Sequence, residues 1–461
     1  MVTVAKLNAQ RKASGLPLVR YEIRKLSEED LIDLREAYKA LYDISEAAEG
    51  DSRGYWALAR GHGYDQALCH NDNRIFLTWH RAYVYAFEKA LSEAFKTVRD
   101  DEQLELTLPY WDWTIFDPAN DADNGIPNVI NEDNYTDRYG STQPNPLKRA
   151  KSLYRIRSLS LSGEDEYTTR YPSQFRAQIT ELADDVSGYM GIDEYMTFNN
   201  DFDRGAHGLV HVFVGGGDPS SPLPNNAGDM SRVVSAAFDP IFWLHHCMVD
   251  KVFYDWQAMH PSANVPEHVR SAVIYDSFTG NDVLDAETNL RYVYSSEAPI
   301  ALSPEPIEEQ EEEGEVATVE IPALAMESPV RSAKLDFHQL KPPIENYILR
   351  VYIDNPQADA RTPRTDPSFA GQLVLFGHGE CYGGPGHCNP NIQGRGKYDL
   401  RRKHPLRNKS TRYSINITKA LNYVRQNGSS PHTVRLIAIN GNGEQAPVRN
   451  LRFTNFSIVI D

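Results

Sequence analysis

Apolar residues recur every three or four positions through about the first 290 residues, then alternate with polar ones over the last third of the chain. In SEEDLIDLREAYKAL, Leu31, Leu34, Tyr38 and Leu41 fall on one helical face. Ser27 is placed as the N-cap, with Asp30 as the acid of an S-x-x-D pattern, although Asp is shorter than the Glu or Gln that best closes such a box. Downstream, His62 and His70 lie on a Gly-containing loop and His80 begins an amphipathic helix. Tyr83, Val84, Phe87 and Leu91 form its apolar face, and Arg81, Lys89 and Glu93 fall elsewhere. The aromatic-dense LTLPYWDWT at 106–114 reads as core packing, and residues 115–145, rich in Asp, Asn, Pro and Gly, as a long surface loop. Helical patterning returns at 172–190 and 238–259.

Residues 300–328 combine prolines with a run of like charges that cannot build a core, which predicts an acidic linker. Beyond it, NYILRVYID, QLVLFGHG, HTVRLIAIN and RFTNFSIVI alternate with a period of two and are separated by Gly, Pro and Asn clusters, the pattern of an antiparallel sandwich. The expected architecture is a mainly α domain over residues 1–299, built on a four-helix-bundle core, followed by a C-terminal antiparallel β-sandwich over 329–461. A length of 461 residues accommodates one large and one smaller domain.

Composition removes several classes of partner. No apolar run is long enough to cross a bilayer as a helix, and a formal charge of −17 argues against nucleic acid or an anionic membrane surface. The N-terminal MVTVAKLNAQRKASG has no apolar core followed by a cleavage site, so a cytoplasmic protein is expected. A processed, secreted chain is the alternative, and then the N-x-S/T triplets at Asn134, Asn408, Asn416, Asn427 and Asn455 would be glycosylation sites. Four cysteines do not make a disulfide scaffold, although Cys381 and Cys388 are close enough to pair across a tight loop.

The chemistry concentrates in histidines. His207 and His211, four apart, project from one helical face and can close on one ion, and His246 on a second helix can supply a third ligand. Three imidazoles without a thiolate suit copper or zinc and leave a position open for a small molecule. A lone pair of histidines at this spacing is usually incidental, but His62, His70 and His80 repeat the arrangement upstream. Two three-histidine sets inside a helical core would hold two metals face to face. Two cuprous ions can each give dioxygen one electron, which a single copper cannot do alone.

These residues resemble the type-3 copper family of tyrosinases, catechol oxidases and molluscan haemocyanins. The first signature of that family is met by His70, Phe76, Trp79, His80, Arg81 and Glu88, and the second by Asp239, Pro240, Phe242, His246 and Asp250. The resemblance extends from about residue 20 to the end, where FGHGECYGGPGHC is similar to the corresponding part of haemocyanin functional units. It implies two copper ions, the first on His62, His70 and His80 and the second on His207, His211 and His246. Dioxygen would be the co-substrate, a small phenol the partner, and a homo-oligomer is compatible. The implied activity is oxidation of o-diphenols to o-quinones, with weaker hydroxylation of monophenols; the alternative is a reversible oxygen carrier of haemocyanin type. A single unit rather than a row of repeats inclines the reading toward an enzyme, and copper storage would not require a doubled site.

Several positions depart from the family pattern or stay open. Cys69 stands immediately before His70 rather than two residues before it, which puts the family's Cys–His thioether in question. Asp203 replaces a glutamate that holds a water over the site in the enzymes, and Gly208 replaces an asparagine of strong monophenol hydroxylases, which together imply weak monophenol chemistry. Val233 corresponds to the gate over the copper pair. His245 is read as a neighbour of the ligand His246. Asp250 either orients an imidazole or forms a salt bridge with Arg81 or Lys251. The resemblance also implies that the β domain shields the site by pushing one side chain into it, with Tyr382 and Leu375 as candidates.

Overall fold

The computed structural model describes residues 3–65, 73–172, 174–261, 263–294, 317–321, 333–340, 343, 345–377, 411–427, 432–451, 453 and 455–460. Its first part is helical. Helix α1 (Glu28–Ala47) starts at Ser27, whose hydroxyl accepts the Asp30 N–H while the Asp30 carboxylate accepts the Ser27 N–H, so the short acid does close the box. Leu31, Leu34, Tyr38 and Leu41 are buried as the spacing predicts. This face packs on α2 (Tyr55–Gly63) and on α3 (Phe76–Arg99), which in turn packs on α7 (Ile241–Met259). Helix α3 begins one turn before His80. Helix α7 is buried on nearly every side, as an apolar segment surrounded by other helices must be, and its Trp243 stacks on Phe87 of α3 with ring centroids 3.7 Å apart. Between them come α4 (Phe175–Tyr189), α5 (Tyr195–Phe202) and α6 (Gly208–Gly215). The stretch 115–145 is more than a loop: a helical turn at Asn128–Asn131 and a hairpin of Asn134–Thr136 with Thr142–Pro144 lie within it, and Ile126 and Ile130 are buried in the core. No helix among the described residues is long and apolar enough to cross a membrane.

A buried ionic cluster joins α3 to α7. Arg81 Nε donates to Asp250 Oδ1 at 2.5 Å, Arg20 bridges Glu88 at 2.7 Å and Asp250 at 2.9 Å, and the hydroxyls of Tyr292 and Tyr294 donate to Asp250 Oδ2. Arg20 ends strand β1 (Leu18–Arg20), which pairs in parallel with β2 (Tyr292–Tyr294), so both ends of the helical part meet at this point. Arg81 is therefore a buried partner, not one of the outward-facing polar residues of α3. The open choice for Asp250 resolves toward the salt bridge, because all of its contacts are with guanidiniums and phenols. Burial opposes its charge, yet the Arg81 and Arg20 guanidiniums outweigh that and hold its carboxyl below the usual range.

The C-terminal part is antiparallel. One sheet runs β9 (Gln445–Ala446), β8 (His432–Asn440), β5 (Tyr347–Ile353), β6 (Phe369–Leu375), with β3 (Ala317–Ile321) also on β8. A second sheet places β4 (Ala333–Leu340) between β10 (Asn455–Ile460) and β7 (Thr411–Asn416). Strand β3 falls inside the stretch read as linker. Helix α8 (Thr418–Asn427) interrupts the strands and had no counterpart in the alternating pattern. Every residue of β5 is buried, because its sheet is covered on both faces: Ile348 and Tyr352 join the helical core, while Leu349, Val351 and Ile353 face a second core with Leu335, Phe337 and Ile415 of the other sheet.

Replacing Asp250 by Asn would leave two buried guanidiniums facing one carboxylate. The expected loss is about 3–5 kcal/mol, as for one-sided removal of a buried ion pair, read from urea unfolding of the helical domain; a loss below about 1 kcal/mol, the size of an exposed pair, would contradict the assignment.

Candidate metal centre

Five described histidines of the two predicted sets converge between the helices. His62 lies at the end of α2, His80 on the first turns of α3, His207 where a five-residue wide turn (Asp203–His207) runs into α6, His211 on α6 and His246 on α7. His70 and Cys69 lie outside the described residues, as do Cys381, Tyr382 and Cys388. Backbone carbonyls orient four of the rings. His62 Nδ1 donates to Val233 O at 3.2 Å, His80 Nδ1 to Phe76 O at 2.9 Å, His207 Nδ1 to Asp203 O at 2.9 Å and His211 Nδ1 to Met230 O at 2.8 Å. A proton on Nδ1 leaves the Nε2 lone pair to face inward, the tautomer a metal needs. The loop before α7 comes close enough because Gly63 has no side chain: a Cβ there would sit 2.0 Å from Val233 O.

The ligand atoms form two groups, each with all members within 4.8 Å of one another: His62, His80 and His246, and His207, His211, His245 and His246. His246 belongs to both, with its Nε2 3.1 Å from His211 Nε2 and its ring stacked on His80 at 4.2 Å. His245 is nearer the centre than a mere neighbour: fully buried, its ring parallel to that of His207 at 5.3 Å, with neither nitrogen hydrogen-bonded within the described residues. Burial, joined by repulsion among the imidazoles, pushes His80, His211, His245 and His246 well below the ordinary histidine range and His62 down to about 3. They are neutral donors. Burial also pushes the Cys247 thiol up to about 12, so no thiolate competes from α7. Converging neutral imidazoles with fixed tautomers fit a pair of nitrogen-loving metal ions.

The tuning positions also gather here. Asp203 is buried, with Oδ1 3.4 Å from His207 Nδ1 and making no hydrogen bond within the described residues. Val233 is 5% exposed, and Phe376, just past β6, packs against it. The Phe376 ring also lies 6.1 Å from His207 and 5.7 Å from His211, edge-on to the latter. Leu375, a candidate for the intruding side chain, faces the core between the two sheets instead. The period of two carried the information: Val374 and Phe376 share one face of the strand, Leu373 and Leu375 the other. Gly208 abuts the β domain, since a Cβ there would be 2.9 Å from both Cβ and Cγ1 of Val374.

Residues 52–259 match the family profile described as the common central domain of tyrosinase. These residues are a tyrosinase-family central domain. Among curated relatives, haemocyanin G-type, units Oda to Odg, of Enteroctopus dofleini is 28% identical over 314 residues, covering 60% of this chain and 10% of that protein. Tyrosinase of Aspergillus oryzae is 26% identical over 368 residues, covering 58% and 64%, and polyphenol oxidase 3 of Agaricus bisporus 30% over 260 residues, covering 46% and 43%. The chain thus spans less than two thirds of the length of each. In fold it is similar to a functional unit of octopus haemocyanin, with a TM-score of 0.56 at 16% identity over 96% of this chain and 99% of that one. It is also similar to a tyrosinase of Burkholderia thailandensis, with a TM-score of 0.60 at 18% identity over 96% and 100%. Proteins of the tyrosinase family bind a binuclear copper site, and the two histidine groups here could hold metal.

His211→Ala should lower bound copper from two ions per chain toward one, measured by metal analysis after copper loading, whereas His245→Ala should keep both. Equal losses in the two variants would make His245 a ligand; zinc retained in preference to copper would count against the metal assignment.

Proposed function

We propose that the protein oxidises o-diphenols to o-quinones, two diphenols giving up four electrons and four protons as one dioxygen becomes two waters. The observation that carries this reading is the Phe376 ring beside His207, His211 and Val233: the space over the histidines accepts a six-membered aromatic ring. Copper on the two histidine groups would supply the one-electron steps between diphenol and dioxygen. The chain itself contributes the rest. His207 and His211 would border an aromatic guest, Val233 would lie against it, and the buried Asp203 Oδ1 beside His207 would receive a proton from a phenol through hydrogen bonding. With a short acid at 203 and no amide at 208, oxidation of catechols outpaces hydroxylation of phenols. An oxygen carrier is the second reading, favoured by the haemocyanin similarity.

In this proposal the β domain is a lid. Phe376 occupies the place of a substrate ring, and the acidic stretch ahead of β3 is the segment that cleavage would open. A catechol should be turned over faster than the matching monophenol under the same conditions, as followed by oxygen uptake; equal rates would contradict the roles given to Asp203 and Gly208. Cleavage between Glu305 and Glu315, or Phe376→Ala in the intact chain, should raise catechol turnover by roughly tenfold or more, the effect of weakening closure by about 1.4 kcal/mol. A fall in turnover on cleavage, with copper content unchanged, would make the β domain a support; no turnover before or after cleavage would favour the carrier.

A further inference from the structure

The β domain touches the site a second time, next to the ring of Phe376. Gly208 follows the ligand His207, and the space where its side chain would stand is taken by Val374, with Asp203 O 3.3 Å away on the other side. Val374 has no flexible end that could yield. The atoms that a Cβ would meet include its own Cβ, a β-branched side chain is stiff, and residue 374 is held in register opposite Ile348 of β5. The strand cannot tilt freely either, since Val374 is buried in the helical core while Leu373 and Leu375 are buried in the second core. Just beyond, the Gly377 N–H donates to Asn346 Oδ1 at 2.8 Å, and the Asn346 amide donates to the carbonyl of Ser231, in the loop that orients His211 and His62. The segment carrying Phe376 is therefore fixed on both sides of the ring, by Val374 at Gly208 and by Gly377 at Asn346.

We propose that the bare backbone at Gly208 is the seat that registers the β domain on the copper domain, so that residue 208 sets how completely Phe376 fills the pocket. This rests on the lid reading above. It has a consequence for specificity: any side chain placed at 208, an asparagine included, displaces Val374 before it can act on a substrate, so the flank of His207 and the closure of the site cannot be altered independently. The seat is steric and apolar, and filling it pushes β6 outward until the 2.9 Å approach opens to ordinary contact.

The test uses the full chain and compares catechol turnover after and before cleavage between Glu305 and Glu315. Gly208→Ala should shrink that ratio roughly fivefold or more, because the uncut form gains activity, with two coppers retained. Backbone amides of Phe369–Leu375 should exchange faster with deuterium while those of α3 stay protected. Adding Val374→Gly, which removes the colliding atoms, should restore much of the wild-type ratio. A wild-type ratio in Gly208→Ala, or failure of the second substitution to restore it, overturns the seat while leaving the lid intact. A ratio near one in the wild type overturns the lid itself. Should Gly208→Ala fail to fold with its copper, Val374→Ala probes the seat from the β domain: a smaller ratio and faster exchange in β6 support it, and unchanged values overturn it.

Discussion

Two guanidiniums and two carboxylates, buried from water, hold the histidine-bearing helices in register. Arg81 follows His80 on α3, Asp250 lies one turn beyond His246 on α7, and their 2.5 Å contact fixes the height of one histidine against the other. Arg20 then ties both helices to the strand pair made by the beginning and end of the helical part. Removing four charges from water is costly, and pairing recovers it only with good geometry and with the remaining lone pairs used. The Tyr292 and Tyr294 hydroxyls donate to Asp250 Oδ2 and the Leu108 N–H to Glu88 Oε2, while Glu88 Oε1 makes no hydrogen bond within the described residues. The gain is positional as much as energetic: the cluster admits one relative placement of α3 and α7.

Within that frame the backbone aims the rings. His80 and His207 each give their Nδ1 proton to the carbonyl four residues earlier; for His80 this follows from helical geometry, while for His207 the turn is kinked at Gly205. His62 and His211 instead use carbonyls of Val233 and Met230, on one loop between α6 and α7. That loop is a shared support. It orients one histidine of each group, includes Val233, and through Ser231 receives Asn346 of the C-terminal sheets. One short segment thus links the sheets to the histidine cluster.

The contact between the helical part and the sheets changes character with distance from the site. At the site it is apolar: Ile348, Val374 and Ile439 join the helical core. Farther out, Arg364 inserts between Glu181 and Asp185 of α4, next to a cavity of about 180 Å³ lined by Asp201, Arg204, Gln372 and Ser414. Polar, imperfectly filled contacts of this kind are usual between domains that move relative to each other.

Several of the helices, the strands β5, β6, β8 and β10 and the spacing of the histidines were legible in the chain because each depends on spacing along it. Three or four residues apart means one helical face, two apart means one sheet face, and the S-x-x-D and Asp-Pro-x-Phe patterns mark a cap and a ligand helix. For Asp250 the sequence left a choice between an imidazole and a salt bridge with Arg81 or Lys251, and only the fold, which brings Arg81 from 169 positions away, decides it. Nor could the sequence choose Phe376 over Leu375: the alternation shows that the two face opposite ways, but only the stacking of one sheet between the helical core and a second sheet decides which way is toward the histidines. Gly208 makes the same point. Local pattern shows a glycine after a ligand; that it is bare because Val374 lies against it is a property of two domains meeting, which no stretch of either contains.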